Sequence, residues 1–294
     1  MNMVKDFISG EELILICRER DIDISRAMAE RECLVFEMTQ QEVWSKMERA
    51  WHIMKDSATA ALKTDLKSMG GLIGGEARKI KERGEQGGNH VCGRVIAKAI
   101  SYAMGVLEVN ASMGLIVAAP TAGSSGVIPG TFLSVMEEMN FSDEDMIRAL
   151  FNAGAIGYLI ALNATVSGAE GGCQSEVGSA SAMAASAITE LMGGSPRQCL
   201  SAASSALSNI LGLVCDPVGG LVEAPCQQRN AMGVANALIS AEIALSGINN
   251  IVPFDEMVNV MYQVGTSLPS ELRETAKGGM AIAPSACSRC IDYN

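Results

Sequence analysis

Two long stretches of this chain carry no charged residue, and they limit what the chain can fold into. One runs from Val109 to Met136 and the other from Ala149 to Ala169. Uncharged stretches of this length are buried either in a protein core or in a membrane. The first contains two Pro and four Gly, and the second carries Asn152 and Asn163 among its apolar residues. These residues disfavour a spanning helix. We therefore interpret both stretches as interior elements of a globular protein and expect no membrane partner.

The apolar residues of the chain are of types that favour helices. Ala, Leu, Ile and Met dominate them, whereas aromatic residues make up only 4% of the chain. No series of short alternating segments predicts a sheet. The sequence thus predicts an all-α protein, a compact multi-helix domain in which Gly-rich loops lie between buried helices.

Several local signals predict where helices begin. Thr39 with Glu42, and Ser142 with Asp145, are capping-box pairs, and Ser195 is followed by a proline. The second pair predicts a helix to about Leu162. The patterns also predict three further helices, with approximate bounds Ser195–Leu213, Asn230–Leu245 and Asp255–Val264.

The chain is predicted to form one domain over residues 1–294. It comprises an N-terminal helical part to about residue 70, a core of about residues 70–282 and a short C-terminal tail. Glycines are concentrated between Gly70 and Gly88, and this segment is the best candidate for an internal boundary.

Charge and cysteine usage exclude some classes of function. The net charge is −11, and no Lys/Arg cluster forms the basic face that a nucleic-acid-binding protein needs. Nine cysteines, an odd number, do not suggest a disulfide framework. The N-terminus lacks the pattern of a secretory signal. We therefore expect no nucleic-acid partner, and a location in the cytoplasm with reduced thiols.

Three cysteines stand out because each lies near Gly or Pro and near polar residues in apolar surroundings. They are Cys173, Cys215 and Cys226. Their wide spacing does not match structural zinc sites, which use close pairs. Three thiolates from loops could hold a [4Fe–4S] cluster at three corners and leave the fourth iron open. The alternative is that all three are buried apolar cysteines.

The segments around these cysteines resemble a known family. PTAGSSGVIPG, EGGCQSEVGSASAMAA, CDPVGGLVEAPCQQRNA and KGGMAI are similar to motifs of the iron–sulfur-dependent L-serine dehydratase (L-serine ammonia-lyase) alpha subunit, and the resemblance runs from about Gly70 to about Ile282. It implies a lyase that converts L-serine to pyruvate and ammonia. It also implies that Cys173, Cys215 and Cys226 are the ligands of a [4Fe–4S] cluster.

The resemblance also implies features that this chain lacks or shows only loosely. In that family the proposed catalytic histidine belongs to a beta portion, in a Ser-Ser-His-Thr motif that is absent here. The resemblance therefore predicts a separate beta subunit, in a heterodimer or a larger assembly, which carries the general base. Single-chain members end in a cysteine that can cap the free iron, and Cys287 or Cys290 is the loosely matching residue here.

Five residues are predicted to bind the substrate. Ser124, Ser125 and Gly126 precede an apolar helical segment, where hydroxyls and N–H groups form an anion site suited to the substrate carboxylate. The alternative for the two serines is helix capping. Arg229 either pairs with that carboxylate or forms a structural ion pair with Glu223. Asn163 is the fifth candidate, and Glu176 is a weaker one of the same kind.

One alternative function belongs to a different class. Cys287 and Cys290 have the spacing of a zinc-binding pair, although no second pair accompanies them. A non-enzymatic helical binding module with a structural zinc site at its C-terminus would use them. Iron and sulfide in the purified protein would distinguish the enzyme from that module.

Overall fold

The fold is built from α-helices, as the composition predicts. In the computed structural model the described residues are 6–86 and 89–286, and these residues contain helices, turns and loops but no β-sheet. A single isolated bridge joins Cys215 to Arg273. The all-α prediction is confirmed for the described part of the chain.

The helices follow one another with short connections. In the first half they are Gly10–Arg20 (α1), Ile24–Val35 (α2), Gln40–Ala60 (α3), Glu76–Glu85 (α4), Gly93–Ala111 (α5) and Val127–Met139 (α6). In the second half they are Asp143–Asn163 (α7), Gly168–Gly171 (α8), Ser179–Leu191 (α9), Pro196–Ser208 (α10), Cys226–Leu245 (α11) and Phe254–Ser267 (α12). Single turns of 3₁₀-helix and one π-helical turn, Gln174–Gly178, lie between them.

The helix starts that were predicted from local capping signals are confirmed. At α3 the hydroxyl of Thr39 accepts from the N–H of Glu42 at 3.2 Å, and the Glu42 carboxylate accepts from the N–H of Thr39 at 2.8 Å. Ser142 and Asp145 form the same reciprocal pair at α7. Such caps form within a few residues of chain and therefore need no tertiary contact.

Two predicted helix bounds differ from the structure. The helix predicted to reach Leu213 ends at Ser208, and the chain continues in turns. The helix predicted from Asn230 starts at Cys226, directly after Pro225. Proline suits the start of a helix because its missing N–H would have no partner there. This earlier start places Cys226 in the first turn of α11.

A helix of small residues forms the centre of the core. Every residue of α9 from 179 to 189 is buried, and the helix packs against α7, α10 and α11. Two of its serines satisfy their hydroxyls inside the core: Ser181 donates to the Val177 carbonyl and Ser186 to the Asn152 side chain, each at 2.7 Å. Small side chains let neighbouring helices approach closely without leaving cavities.

The uncharged stretch of α7 is buried within this fold. Among the described residues, α7 is the one helix that by length and composition could cross a membrane, and 61% of its apolar window is buried. It packs against α2 and α9. Contact with other helices therefore accounts for the burial that the sequence analysis predicts for this stretch.

We predict opposite effects of Gly→Ala at two helical glycines. A Cβ at Gly130 on α6 would lie 2.7 Å from the carbonyl oxygen of Ala99, whereas a Cβ at Gly154 on α7 meets nothing within 4 Å. Gly130→Ala should lower the free energy of unfolding by about 1–3 kcal/mol because α5 and α6 must separate. Gly154→Ala, its control, should raise it by about 0.5–1 kcal/mol. Denaturant titration measures both, and equal effects would contradict this account.

Candidate active site

The three predicted cluster ligands lie in one buried neighbourhood. Cys173, Cys215 and Cys226 are 3%, 4% and 8% exposed. Burial is the main cause that raises the pKa of Cys173 and of Cys215; a negative charge on Cys226 adds to the rise at Cys173, and charges on Cys173 and Cys226 add to the rise at Cys215. Because such effects require proximity, the fold brings together three residues that are far apart in sequence.

The backbone around the cysteines is fixed by hydrogen bonds between distant segments. The N–H of Cys215 donates to the Leu272 carbonyl at 2.8 Å, and its own carbonyl accepts from the N–H of Glu274 at 2.7 Å. The N–H of Gln174 donates to the Leu213 carbonyl at 3.0 Å. The segment before Cys215 is thus tied to the turn after Cys173.

The cysteines occupy different local structures, although the sequence analysis expected all three in loops. Cys173 immediately precedes the π-helical turn Gln174–Gly178, and Cys226 is the first residue of α11. Only Cys215 lies in a segment without helical structure. A π-helical turn shifts the side chains that follow it and is frequent at functional sites.

Glu176, in that π-helical turn, is a half-buried acid beside Cys215. Its Oε1 accepts from the Thr121 hydroxyl at 2.6 Å, and its Oε2 lies 3.9 Å from the Sγ of Cys215. Burial raises the pKa of the Glu176 carboxyl, because the charged form loses hydration. A Cβ at Gly168 would lie 2.5 Å from Oε2 and 3.2 Å from the same Sγ, so this close arrangement requires glycine there.

The loop of Ser124, Ser125 and Gly126 packs against this acid and against α11. Both serines are buried, and the Ser125 hydroxyl donates to the Ala122 carbonyl at 2.8 Å. The Ser124 hydroxyl contacts the Thr121 hydroxyl at 3.2 Å. Neither hydroxyl caps α6, which has no side-chain cap hydrogen bond, although the Ser124 hydroxyl accepts from the N–H of Thr121 at 3.4 Å in the preceding turn. A role in substrate binding stays a prediction.

Asn230 joins the serine loop to α11, and the sequence analysis did not identify it. Its Oδ1 accepts from the N–H of Gly126 at 2.9 Å, and its Nδ2 donates to the carbonyls of Gly123 and Cys226 at 2.7 and 2.9 Å. The side chain is completely buried. The signal in the sequence is its position, one helical turn after the candidate ligand Cys226.

Arg229 forms a structural ion pair, but with a different partner from the one considered above. Its Nη2 lies 2.6 Å from the Oδ1 of Asp216, and its Nη1 donates to the Val214 carbonyl at 2.7 Å. The prediction of a structural ion pair between Arg229 and Glu223 is therefore wrong. The Arg229 charge also partly opposes the rise in the pKa of Cys173. Arg229 thus lies at the site, and contact with a substrate stays a prediction.

Glu223 instead holds the glycine-rich segment before α4. Its carboxylate accepts from the Ser68 hydroxyl at 2.8 Å and from the N–H groups of Gly70 and Leu72 at 2.5 and 2.9 Å. This carboxylate is buried and lies three residues before Cys226. The segment that the sequence suggests as a boundary is therefore anchored directly beside the site.

The remaining predicted residues lie elsewhere or outside the described residues. Asn163 is exposed at the end of α7, and its side chain donates to the carbonyls of Ile8 and Leu159, each at 2.9 Å. These contacts join it to the N-terminal segment rather than to the cysteines. Cys287 and Cys290 lie outside the described residues.

Burial makes all three thiols poor thiolates unless positive charge is added. It raises the pKa of Cys173 and of Cys226 to about 12, and it raises the pKa of Cys215 as well. Among the residues that the structure describes, no three His, Cys, Asp or Glu side chains lie close enough together to hold a single metal ion. A cluster with several irons is a different case, because each ligand binds its own corner.

Comparisons with known proteins agree with one another. A family model described as "Serine dehydratase alpha chain" matches residues 19–281. The probable L-serine dehydratase alpha chain of Bacillus subtilis is 48% identical over 95% of this chain and 92% of its own length. The L-serine dehydratase alpha chain of Peptoniphilus asaccharolyticus is 45% identical, over 93% of each chain. The L-serine dehydratase of Streptomyces coelicolor is 37% identical over 94% of this chain, but over only 61% of its own length.

We predict that the buried ion pair at the site is worth far more than a surface pair. Asp216→Asn leaves the Arg229 charge buried without a counter-charge and should lower the free energy of unfolding by about 3–5 kcal/mol. The control, Arg197→Gln, breaks an exposed pair with Glu11 and should change it by about 1 kcal/mol or less. Denaturant titration of the metal-free proteins compares them, and similar losses in both variants would refute this prediction.

Proposed function

This chain belongs to the serine dehydratase alpha-chain family, and from that premise we propose that it is the cluster-binding subunit of an iron–sulfur L-serine dehydratase. Such an enzyme is a lyase that converts L-serine to pyruvate and ammonia. The observation that carries the proposal is the burial of Cys173, Cys215 and Cys226 in one neighbourhood. The seven cysteines in the described part of the chain are free thiols, and we propose a location in the reducing cytoplasm.

The donor set fits a [4Fe–4S] cluster held by these three cysteines. All three are buried, close enough to interact electrostatically, and poor thiolates in the absence of added positive charge. Iron supplies that charge, because metal binding replaces the thiol proton. When bound, a cluster with one open iron supplies a Lewis acid that makes hydroxide a better leaving group.

We propose that polar residues of this chain beside the three cysteines bind the substrate. We propose that Arg229, held by Asp216, attracts the substrate carboxylate and that the loop of Ser124, Ser125 and Gly126 orients it. Burial raises the pKa of the Glu176 carboxyl, and we propose that this carboxyl supplies a proton at the site. The hydroxyl leaving the β-carbon needs such a proton to depart as water.

The general base is proposed to come from a separate beta subunit. This chain spans 92% and 93% of the two alpha-chain relatives but only 61% and 62% of the L-serine dehydratases of Streptomyces coelicolor and Escherichia coli. The remaining part of those longer proteins has no counterpart in this chain. A second polypeptide that corresponds to it would complete the enzyme.

We predict that each proposed ligand is needed to hold iron. Cys173→Ala, Cys215→Ala and Cys226→Ala should each lower the iron and sulfide content several-fold after anaerobic reconstitution, because the cluster loses one of three protein ligands. Cys199→Ala is the control, since Cys199 is equally buried on α10 but takes no part in the site. Iron analysis and visible absorption measure the content.

Activity is measured as pyruvate formed from L-serine, with the beta chain present. The wild-type protein and Cys199→Ala should produce pyruvate, and the three ligand variants should not. Iron retained at wild-type levels in all three variants would contradict the assignment of the ligands. Zinc without iron or sulfide in the wild-type protein would favour the binding-module alternative instead.

A further inference from the structure

An exposed apolar surface lies next to the candidate active site. We call it the apolar rim and define it by four side chains, Met69, Met113, Leu115 and Leu221. Met69, Met113 and Leu115 are 66%, 78% and 71% exposed, and Leu221 is also exposed. Large apolar side chains are seldom this exposed in a group unless they contact another molecule.

Contacts between three chain segments hold the members of the apolar rim together. The N–H of Met69 donates to the Ala111 carbonyl at 2.9 Å, at the end of α5, which Met113 and Leu115 directly follow. The next residue after Met69, Gly70, packs against the Leu221 side chain so closely that a Cβ would overlap it. The rim is therefore one surface and not a set of scattered side chains.

The backbone beside Leu115 is free to pair with another chain. Residues 115–118 have no helical or strand structure. Within the described part of the chain, none of their N–H groups donates a hydrogen bond to a backbone or side-chain acceptor. A segment that offers both apolar side chains and unpaired N–H groups is suited to backbone pairing with a protein partner.

The apolar rim is continuous with the site. Residues 115–118 lead through cis-Pro120 to Thr121, whose hydroxyl binds Glu176. Leu221 lies two residues before Glu223, whose carboxylate binds the Met69-flanking residues Ser68 and Gly70. A protein bound on the rim would therefore border the cysteine neighbourhood directly.

The site also lacks an imidazole of its own. The chain has only two histidines. His52 is exposed on α3, and His90 lies against Gly84 at the end of α4, where it lines a cavity with Lys98 and Tyr102. A partner that adds a catalytic group must therefore reach the site from outside, and the apolar rim is one exposed apolar surface that adjoins it.

We propose that the apolar rim is the docking surface for the beta chain, the polypeptide that corresponds to the part of the longer relatives without counterpart here. This inference rests on the proposed function. The beta chain would cover Met69 and Leu115, pair with residues 115–118 and carry its own groups to the edge of the site.

The test introduces a charge into two different segments of the rim. Leu115→Glu and Met69→Glu should each weaken binding of the beta chain at least 10-fold, because docking would bury the new carboxylate. The control is Ile251→Glu, at a position that is 97% exposed. It lies beyond the C-terminal end of α11, whose 20 residues span about 30 Å from Cys226. Binding is measured by titration calorimetry with reconstituted, iron-loaded alpha chain.

Iron content and far-ultraviolet circular dichroism should match the wild type in all three variants, so that weaker binding reports docking and not misfolding. Wild-type affinity in both rim variants would overturn the docking proposal while leaving the proposed function intact. A wild-type chain that makes pyruvate without any beta chain would overturn the beta-subunit part of that function together with the docking proposal. A rim variant that converts a dimeric alpha chain to a monomer and leaves beta binding unchanged would assign the rim to a second copy instead.

Discussion

Ionising three buried thiols beside one another is unfavourable unless positive charge accompanies the ionisation, and the site is organised around this constraint. Burial raises the pKa of all three thiols, a negative charge on Cys226 raises that of Cys173 further, and charges on Cys173 and Cys226 raise that of Cys215 further. Arg229 is the cation that opposes this effect at Cys173 and Cys226, but Asp216 already balances its charge. The protein charges alone therefore favour protonated cysteines. The positive charge of a bound iron–sulfur core would compensate for the ionisation of the three thiols.

Buried carboxylates fix the loops around the thiols. Glu223 binds two N–H groups of the segment before α4, and Asp216 accepts from the N–H of Met280 at 2.6 Å. On α5, Glu108 accepts from the N–H groups of Gly75 and Ala77, both at 2.9 Å, and from the Gln227 side chain at 3.1 Å. The hydrogen-bond donors around each carboxylate compensate for the hydration that the carboxylate loses when it is buried. The segment that leads into α4 and the segment around Met280 are thereby tied to residues that flank Cys215 and Cys226.

Contacts between residues close in sequence could be predicted from the sequence, whereas contacts that depend on the folded path of the chain could not. The capping pairs at Thr39 and Ser142 are local, so their residue types alone located the starts of α3 and α7. The ion-pair partner of Arg229, by contrast, cannot be predicted from the neighbouring sequence. Asp216 and Glu223 both lie in the same short segment, and only the folded path of the chain decides which carboxylate the guanidinium meets.

The role of Asn230 was hidden for the same reason. Its amide connects α11 to Gly123 and Gly126, more than a hundred residues earlier, and no pattern near Asn230 indicates that contact. The three cysteines, by contrast, were found because motifs shared with a family mark them. Residue spacing alone left the alternative of buried apolar cysteines open, and the structure adds that they share one neighbourhood.

A docked beta chain would have two effects through one contact: it would bring the missing base, and it would exclude water from a site whose charges interact more strongly when dry. An apolar surface next to a polar site serves both purposes, whereas a polar rim would keep water at the edge of the reaction.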